Sequence, residues 1–135
     1  MPKTDQLPIY LKLWLLLKYS YKMTGNFPRN HKHTIGQDLL NLGWQCIDLI
    51  FIINSADNEK KNGSIKQLSL KFDQLKMRFR MVAETEIISP KQLAHIYENY
   101  LYPIGDQIGG WQKWAIEEEA KSINNKTINN DADNI

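Results

Sequence analysis

The sequence contains a single cysteine, Cys46, so no disulfide can form within the chain. Its uninterrupted apolar run from Leu13 to Leu17 is far shorter than the roughly 20 residues that a transmembrane helix needs. No cleavage site of small residues follows that run, and we therefore expect neither a signal peptide nor a membrane segment. These absences favour a soluble domain in a reducing, cytoplasmic setting.

Metal-binding chemistry has little support in the sequence. A di-metal site inside a helical bundle needs Glu-x-x-His pairs, but the residue three positions before His95 is Gln92. His31 and His33 flank Lys32, whose charge disfavours a cation there, and no third ligand lies nearby. We expect no metal and no other cofactor.

Catalytic motifs are also missing. Cys46 lies between Leu42 and Leu49 of an apolar helical stripe, whereas a nucleophilic thiolate is favoured by a polar, electropositive site. No glycine-rich phosphate loop of the Walker type occurs. The sequence therefore predicts a protein that binds other macromolecules and has no catalytic residue.

Four segments carry apolar residues at helical spacing, separated by three short stretches rich in turn-forming residues. The third segment has the most regular pattern, in steps of three and four: Ile65, Leu68, Phe72, Leu75, Phe79 and Val82. Short connections make neighbouring helices antiparallel. The sequence predicts an all-α fold, an antiparallel up-down-up-down four-helix bundle over residues 1–121, and a disordered, Asn-rich polar tail over residues 122–135.

The starts of two helices carry capping signals. We expect the second helix to begin at Thr34, with Gln37 completing a capping box. The fourth helix is expected to begin at Ser89, followed by Pro90 at its first position and Gln92 in a second capping box.

The interior of the fourth helix contains residues that disturb helices. Pro103 lacks a backbone donor and predicts a kink. Gly105, Gly109 and Gly110 lack side chains, which favours close approach of a neighbouring helix, with local weakening of the helix as the alternative.

The second helix has more apolar surface than one bundle interior requires. Beside its main seam lies a second stripe formed by Leu40, Trp44, Ile47 and Phe51. We expect this stripe to form an oligomer interface. Burial on two sides within its own bundle is the alternative.

Basic residues are concentrated in the third helix. Residues 60–80 include seven basic side chains and one acid, Asp73. Lys76 and Arg80 are four residues apart and share a helix face. Such a face is often only solvated, but basic side chains also neutralise phosphates. The candidate contacts to nucleic acid or a partner are Arg29, Lys32, Lys66, Lys71, Lys76, Arg78 and Arg80.

Three segments resemble a known family. Phe27-Pro28-Arg29, followed by Ile35-Gly36, is similar to the first-loop signature of bacterial four-helix-bundle proteins that include those encoded by 23S ribosomal RNA intervening sequences. The stretch IGDQIGGW, which ends at Trp111, resembles the fourth helix of the accessory variability determinant, Avd, of diversity-generating retroelements. Residues 75–82 are similar to the basic third helix of Avd. The resemblance covers residues 7–114.

This resemblance implies a homopentamer of four-helix bundles that binds nucleic acid and the reverse transcriptase of the retroelement. Such a complex copies template-repeat RNA into mutagenised cDNA during mutagenic retrohoming. The accessory protein supplies no catalytic residue, and its partners are RNA, DNA, the polymerase and further copies of itself. By the same resemblance, Arg29, Lys76 and Arg80 are candidate contacts to RNA or polymerase.

A second function fits the same family. The chain would then be a self-assembling bundle of the intervening-sequence type, with a structural or interaction role and no polymerase partner. The nucleic-acid hypothesis has one structural requirement. Lys76, Arg78 and Arg80 must not each be held by carboxylates of their own subunit.

Overall fold

The computed structural model describes residues 3–133, with side chains through residue 128. Helix α1 spans Pro8–Gly25 and helix α3 spans Lys61–Glu84. Helix α2 is a continuous rod of three segments: Arg29–His31, a π-helical turn at Lys32–Gly36, and Gln37–Ser55. Helix α4 is likewise continuous: Pro90–Ile96, a π-helical turn at Tyr97–Leu101, and Tyr102–Asp133. Short 3₁₀ turns occur at Thr4–Gln6 and Asn58–Lys60.

The helices pack in chain order around the bundle. Helix α1 packs on α2, α2 on α3, α3 on α4, and α4 returns to α1. Asp38 near the start of α2 pairs with Arg78 near the end of α3, so these neighbours are antiparallel. The predicted all-α, up-down-up-down four-helix bundle is confirmed. We call the end with residues 26–28 and 85–89 the upper end, and the end with residues 56–60 the lower end.

The core is built from the seams that the sequence identifies. Every member of the α3 seam is at most 2% exposed, and burying one such side chain contributes about 1.5–3 kcal/mol. Cys46 is fully buried, and this burial raises the pKa of its thiol to about 12. The cysteine is therefore a small buried apolar residue, as predicted. Within residues 3–133, each helix is either too short or too polar to span a lipid bilayer.

Helix α2 starts earlier than predicted. It begins at Arg29, directly after Pro28, and passes through the π-helical turn before residue 37. The hydroxyl of Thr34 donates to the carbonyl oxygen of Asn30 at 2.6 Å, and the side chain of Gln37 donates to Asn41. The predicted capping box is wrong, because the helix already continues through these positions.

Helix α4 carries the predicted Ser89 cap, whereas the Gln92 side chain, which was expected to complete a capping box, donates to the Tyr19 hydroxyl of α1 at 3.3 Å. The Ser89 hydroxyl oxygen accepts a hydrogen bond from the backbone nitrogen of Gln92 at 3.0 Å. A π-helical turn at Tyr97–Leu101 lies just before Pro103, and the predicted kink at Pro103 stays a prediction. Pro103 has no backbone N–H group that could donate to the carbonyl oxygen of Asn99, four residues earlier. That oxygen instead accepts a hydrogen bond from the Lys12 ammonium at 3.3 Å.

Close helix approach occurs at a glycine that the sequence did not single out. A Cβ atom on Gly43 would lie 2.9 Å from Cδ1 of Leu17 in α1. At Gly109 and Gly110 an added Cβ would meet nothing within 4 Å, and at Gly105 it would make only an ordinary contact at 3.7 Å. The predicted close approach at these three glycines is therefore wrong within one subunit.

The last part of α4 extends beyond residue 121 and contacts the lower end of the bundle around residues 57–59. Glu59 accepts a hydrogen bond from Ser122 at 3.0 Å and pairs with Lys126 at 3.2 Å. Ile123 and Ile128 are 58% and 64% exposed, so apolar packing does not anchor this extension to its own bundle. The placement of the domain boundary at residue 121 and the disorder of residues 122–135 stay predictions, and residues 134–135 lie outside the described part of the chain.

We predict that Glu59 controls whether this extension stays on the bundle. Its contacts to Ser122 and Lys126 hold the pKa of the Glu59 carboxyl below its ordinary value of 4.5. The stabilisation is present above that value and is lost as the pH falls through the lowered pKa. We therefore expect Cα chemical shifts of residues 122–128 to lose helical character in Glu59→Gln at neutral pH, and in the wild type in acid.

Glu117→Gln is the matched control, because Glu117 is exposed and lies in α4, the helix that contains residues 122–128. It is expected to leave the shifts unchanged. Identical helical shifts in wild type and Glu59→Gln at every pH would contradict the role of Glu59.

Candidate nucleic-acid and subunit interfaces

The predicted basic residues form two groups rather than one patch. Five of them lie toward the upper end: Arg29, Lys32, Lys76, Arg78 and Arg80. A recess of about 360 Å³ is lined by both His31 and Met81, which places the start of α2 beside the end of α3. Lys66 and Lys71 lie lower on α3, and Lys71 borders a different recess with Leu49.

Three of the candidates already pair with carboxylates of the same chain. The ion pairs join Lys76 to Asp73 at 3.2 Å, Arg78 to Asp38 at 2.9 Å, and Arg80 to Glu84 at 2.8 Å. The requirement that these side chains not all be held in this way is therefore not met, so the nucleic-acid hypothesis cannot count them as free charges and depends on how easily each pair exchanges. Any contact that they make to a polyanion has to compete with these pairs.

The three ion pairs differ in how firmly they hold their cation. The Arg78 guanidinium also donates to the carbonyl oxygen of Gln74, and its side chain is only 30% exposed. We therefore interpret Arg78 as a link between α3 and α2 rather than a contact for nucleic acid. Lys76 and Arg80 pair within their own helix on the surface, where such pairs contribute about 0–1 kcal/mol. A phosphate can displace carboxylates held this weakly.

The remaining candidates have free charges. No carboxylate in residues 3–128 pairs with Arg29, Lys32, Lys66 or Lys71. Arg29 and Lys32 are exposed in the first turns of α2. The positive end of the α2 dipole adds to their attraction for anions.

The upper end is more basic than these candidates indicate. Residues 18–38 and 76–91 together hold eight basic and three acidic side chains, a difference of +5. The rest of the chain holds nine basic and twelve acidic side chains, a difference of −3. Sequence reasoning missed Lys18, Lys22 and Lys91. The absence of any acid in α1 is the signal that could have identified the first two.

The predicted subunit interface on α2 is partly corrected. Trp44 and Phe51 are each 48% exposed, and Leu40 is partly buried. Ile47 is only 3% exposed and belongs to the core cluster. Its assignment to a subunit interface is wrong, because its own bundle already encloses it.

Helix α1 extends the exposed part of this stripe into a larger surface. Trp14 stands edge-on to Trp44 at 6.0 Å between ring centroids, and Tyr10 stands edge-on to Phe51 at 5.7 Å. We call this surface the aromatic face, formed by Tyr10, Leu11, Trp14, Leu15, Tyr21, Leu40, Trp44 and Phe51. Sequence reasoning missed the α1 residues because α1 is apolar almost all round, so its pattern does not distinguish an inner from an outer side. Contiguous exposed apolar surface of this kind marks interaction sites.

The IGDQIGGW segment lies away from the basic upper end. Gln107, Gly110 and Trp111 line a recess of about 450 Å³ together with Pro8 of α1 and Lys61. Lys61 is 2% exposed, and burial lowers its pKa. Its ammonium lies 5.8 Å from the ring centroid of Trp114. This segment packs the lower part of the bundle.

No reactive centre stands out in the described part of the chain. Within it, no group of three or more His, Cys, Asp or Glu side chains is placed to hold a metal ion. Cys46 stays protonated at neutral pH because its pKa is raised to about 12, and a protonated thiol is a poor nucleophile.

Comparison with known proteins identifies the family. A family model described as bAvd-like matches residues 9–115, which include the first-loop signature and the IGDQIGGW segment. No curated protein and no solved structure matches significantly. The resemblance to Avd that the sequence indicates is thereby confirmed, and the chain belongs to the bAvd-like family.

Proposed function

We propose that the protein is a non-catalytic accessory factor of a diversity-generating retroelement in the cytoplasm. It binds RNA and a reverse transcriptase and supports mutagenic cDNA synthesis. Membership of the bAvd-like family supports the retroelement assignment. The nucleic-acid part is carried by the charge asymmetry, +5 at the upper end against −3 for the rest of the chain.

RNA binds at the upper end through its phosphates. Arg29 and Lys32 provide free charges, and Lys76 and Arg80 exchange their surface carboxylates for phosphate oxygens. Neutralising phosphates releases condensed counterions, so this affinity depends on salt and little on base sequence. Lys66 and Lys71 extend the basic surface down α3.

Self-association strengthens this binding. The aromatic face is the surface through which copies meet, because its exposed apolar area is removed from water on assembly. If five copies assemble in a ring, as in the family that the sequence resembles, upper ends of +5 each sum to +25. Such a concentrated field raises both the affinity and the association rate for a polyanion.

We predict that reversing charge at the upper end weakens RNA binding. The variants are Arg29→Glu/Lys32→Glu and Lys76→Glu/Arg80→Glu, and affinity for a single-stranded RNA is measured by fluorescence anisotropy across a salt series. Loss of two phosphate contacts lowers the salt slope by about 1.4, and the affinity falls most at low salt.

The control variant is Lys60→Glu/Lys121→Glu, which makes the same change in net charge. Lys60 lies at the lower end and Lys121 in α4 just before the extension, and both are exposed. This variant is expected to bind RNA with nearly wild-type affinity. Equal affinity of wild type and Arg29→Glu/Lys32→Glu at every salt concentration would sink the assignment of the upper end.

We also predict a stable complex with a reverse transcriptase encoded beside this gene. Co-expression with an affinity tag on the accessory protein, followed by nuclease treatment, tests a direct contact. Co-elution of the polymerase is the expected result. A protein that assembles with itself but never retains the polymerase would instead be a self-assembling bundle of the intervening-sequence type.

A further inference from the structure

The outer side of α4 carries an exposed stripe that the bundle does not use. Its members recur every three or four residues: Glu98, Tyr102, Asp106, Gly109, Lys113 and Ile116. We call this surface the α4 stripe. Tyr102 is 61% exposed and Ile116 is 56% exposed. Gly109 has no side chain, and a Cβ atom added to it would meet no side chain and no other helix of its own subunit within 4 Å.

The α4 stripe and the aromatic face carry opposite charges near their upper parts. Glu98 and Asp106 form no ion pair with any side chain in residues 3–128. Helix α1 has three lysines and no acid. Lys18 and Lys22 border a groove of about 250 Å³ lined by Trp14 and Trp44 of the aromatic face. The groove is thus apolar at its base and basic at its rim.

Contacts within one subunit fix the relative heights of α1 and α4. The Lys12 ammonium reaches the Asn99 carbonyl, and the Tyr19 ring lies 5.6 Å from the ring of His95. Lower down, Pro8 shares a recess with Gly110. Because α1 and α4 are antiparallel, residues 14–18 of α1 lie at about the height of residues 98–103 of α4.

A rotation about an axis parallel to the helices leaves every height unchanged. In a ring of copies that are related by such a rotation, a second copy brings its own residues 98–103 to the height of the groove on the first copy. Tyr102 then meets Trp14 and Trp44, while Glu98 meets Lys18. The two surfaces thus lie at the same height, both expose apolar side chains, and carry opposite charges.

We propose that the aromatic face of one copy packs against the α4 stripe of the next copy, in a head-to-tail arrangement. This inference rests on the self-association in the proposed function and specifies which surfaces meet. Two different surfaces in contact produce a closed ring or an open chain, rather than a symmetric pair. Gly109 lets the neighbouring α1 approach α4 closely, which gives a role to a glycine that its own subunit leaves in open space.

Blocking each surface separately tests the arrangement. Trp44→Arg blocks the aromatic face and Tyr102→Arg blocks the α4 stripe, both at exposed positions. Sedimentation velocity is expected to show each variant alone as a monomer. An equimolar mixture is expected to give a dimer with one copy of each and nothing larger, because only one pair of intact surfaces remains.

Assembly of Tyr102→Arg alone to the wild-type size would overturn the proposal, and so would larger assemblies in the mixture. Thermal unfolding by circular dichroism checks that each variant is folded. Leu15→Arg, at 47% exposure, replaces Trp44→Arg if the latter unfolds.

Charge reversal tests the predicted register. Lys18→Glu and Glu98→Lys each place like charges together and are expected to weaken association by about tenfold. The double variant restores an opposite pair and is expected to recover most of the loss. Lys60→Glu at the lower end is the control and leaves association unchanged. A double variant as weak as the two single changes combined would contradict the register.

Failure of this proposal can be separated from failure of the proposed function. RNA affinity of the Arg29→Glu/Lys32→Glu variant is measured independently of assembly. If Trp44→Arg instead assembles normally and loses RNA binding, the aromatic face is occupied by nucleic acid, and the head-to-tail arrangement is wrong.

Discussion

The bundle depends on the burial of four apolar seams against one another. The α3 seam is the clearest case, since all six of its residues are at most 2% exposed. Among charged side chains in the described part of the chain, Lys61 is the only one classed with the buried residues. The remaining charges are therefore confined to the outer faces and the two ends. The net charge is +5 at the upper end and −3 in the rest of the chain, so one end of the bundle is much more basic than the remainder.

The outer surface divides into regions with different physical character. The upper end is basic. The aromatic face exposes apolar side chains, whose area is removed from water only when another molecule covers it. The α4 stripe combines exposed Tyr102 with carboxylates that form no ion pair within residues 3–128. The ion pairs along α3 determine which of its basic side chains are available to a partner. Arg78 is used to hold α3 against α2, whereas the surface pairs of Lys76 and Arg80 are weak enough to exchange for phosphate. Assembly and polyanion binding therefore use mostly different parts of the subunit, and they overlap at Lys18 and Lys22, which belong to the upper end and border the groove.

The sequence predicts structural features that depend on residues close together in the chain. It does not predict features that depend on contacts between residues far apart in the chain. The α3 seam and the Ser89 cap follow from spacing within a few residues, and both were confirmed. Ile47 lies on a stripe that periodicity cannot assign to a subunit interface or to the core. The pair between Arg78 and Asp38 joins residues 40 positions apart, which no local pattern reveals. The early start of α2 was missed because the Thr34 capping signal is overridden by a continuous π-helical entry.

Mapping where bound RNA touches the assembled protein tests the central claim most directly. Single-stranded RNA that carries a photoreactive uridine can be cross-linked to the wild-type protein, and the modified peptides identified by mass spectrometry. The account predicts cross-links concentrated in residues 18–38 and 76–91 and few on the α4 stripe. Cross-links concentrated on the α4 stripe or at the lower end would contradict it.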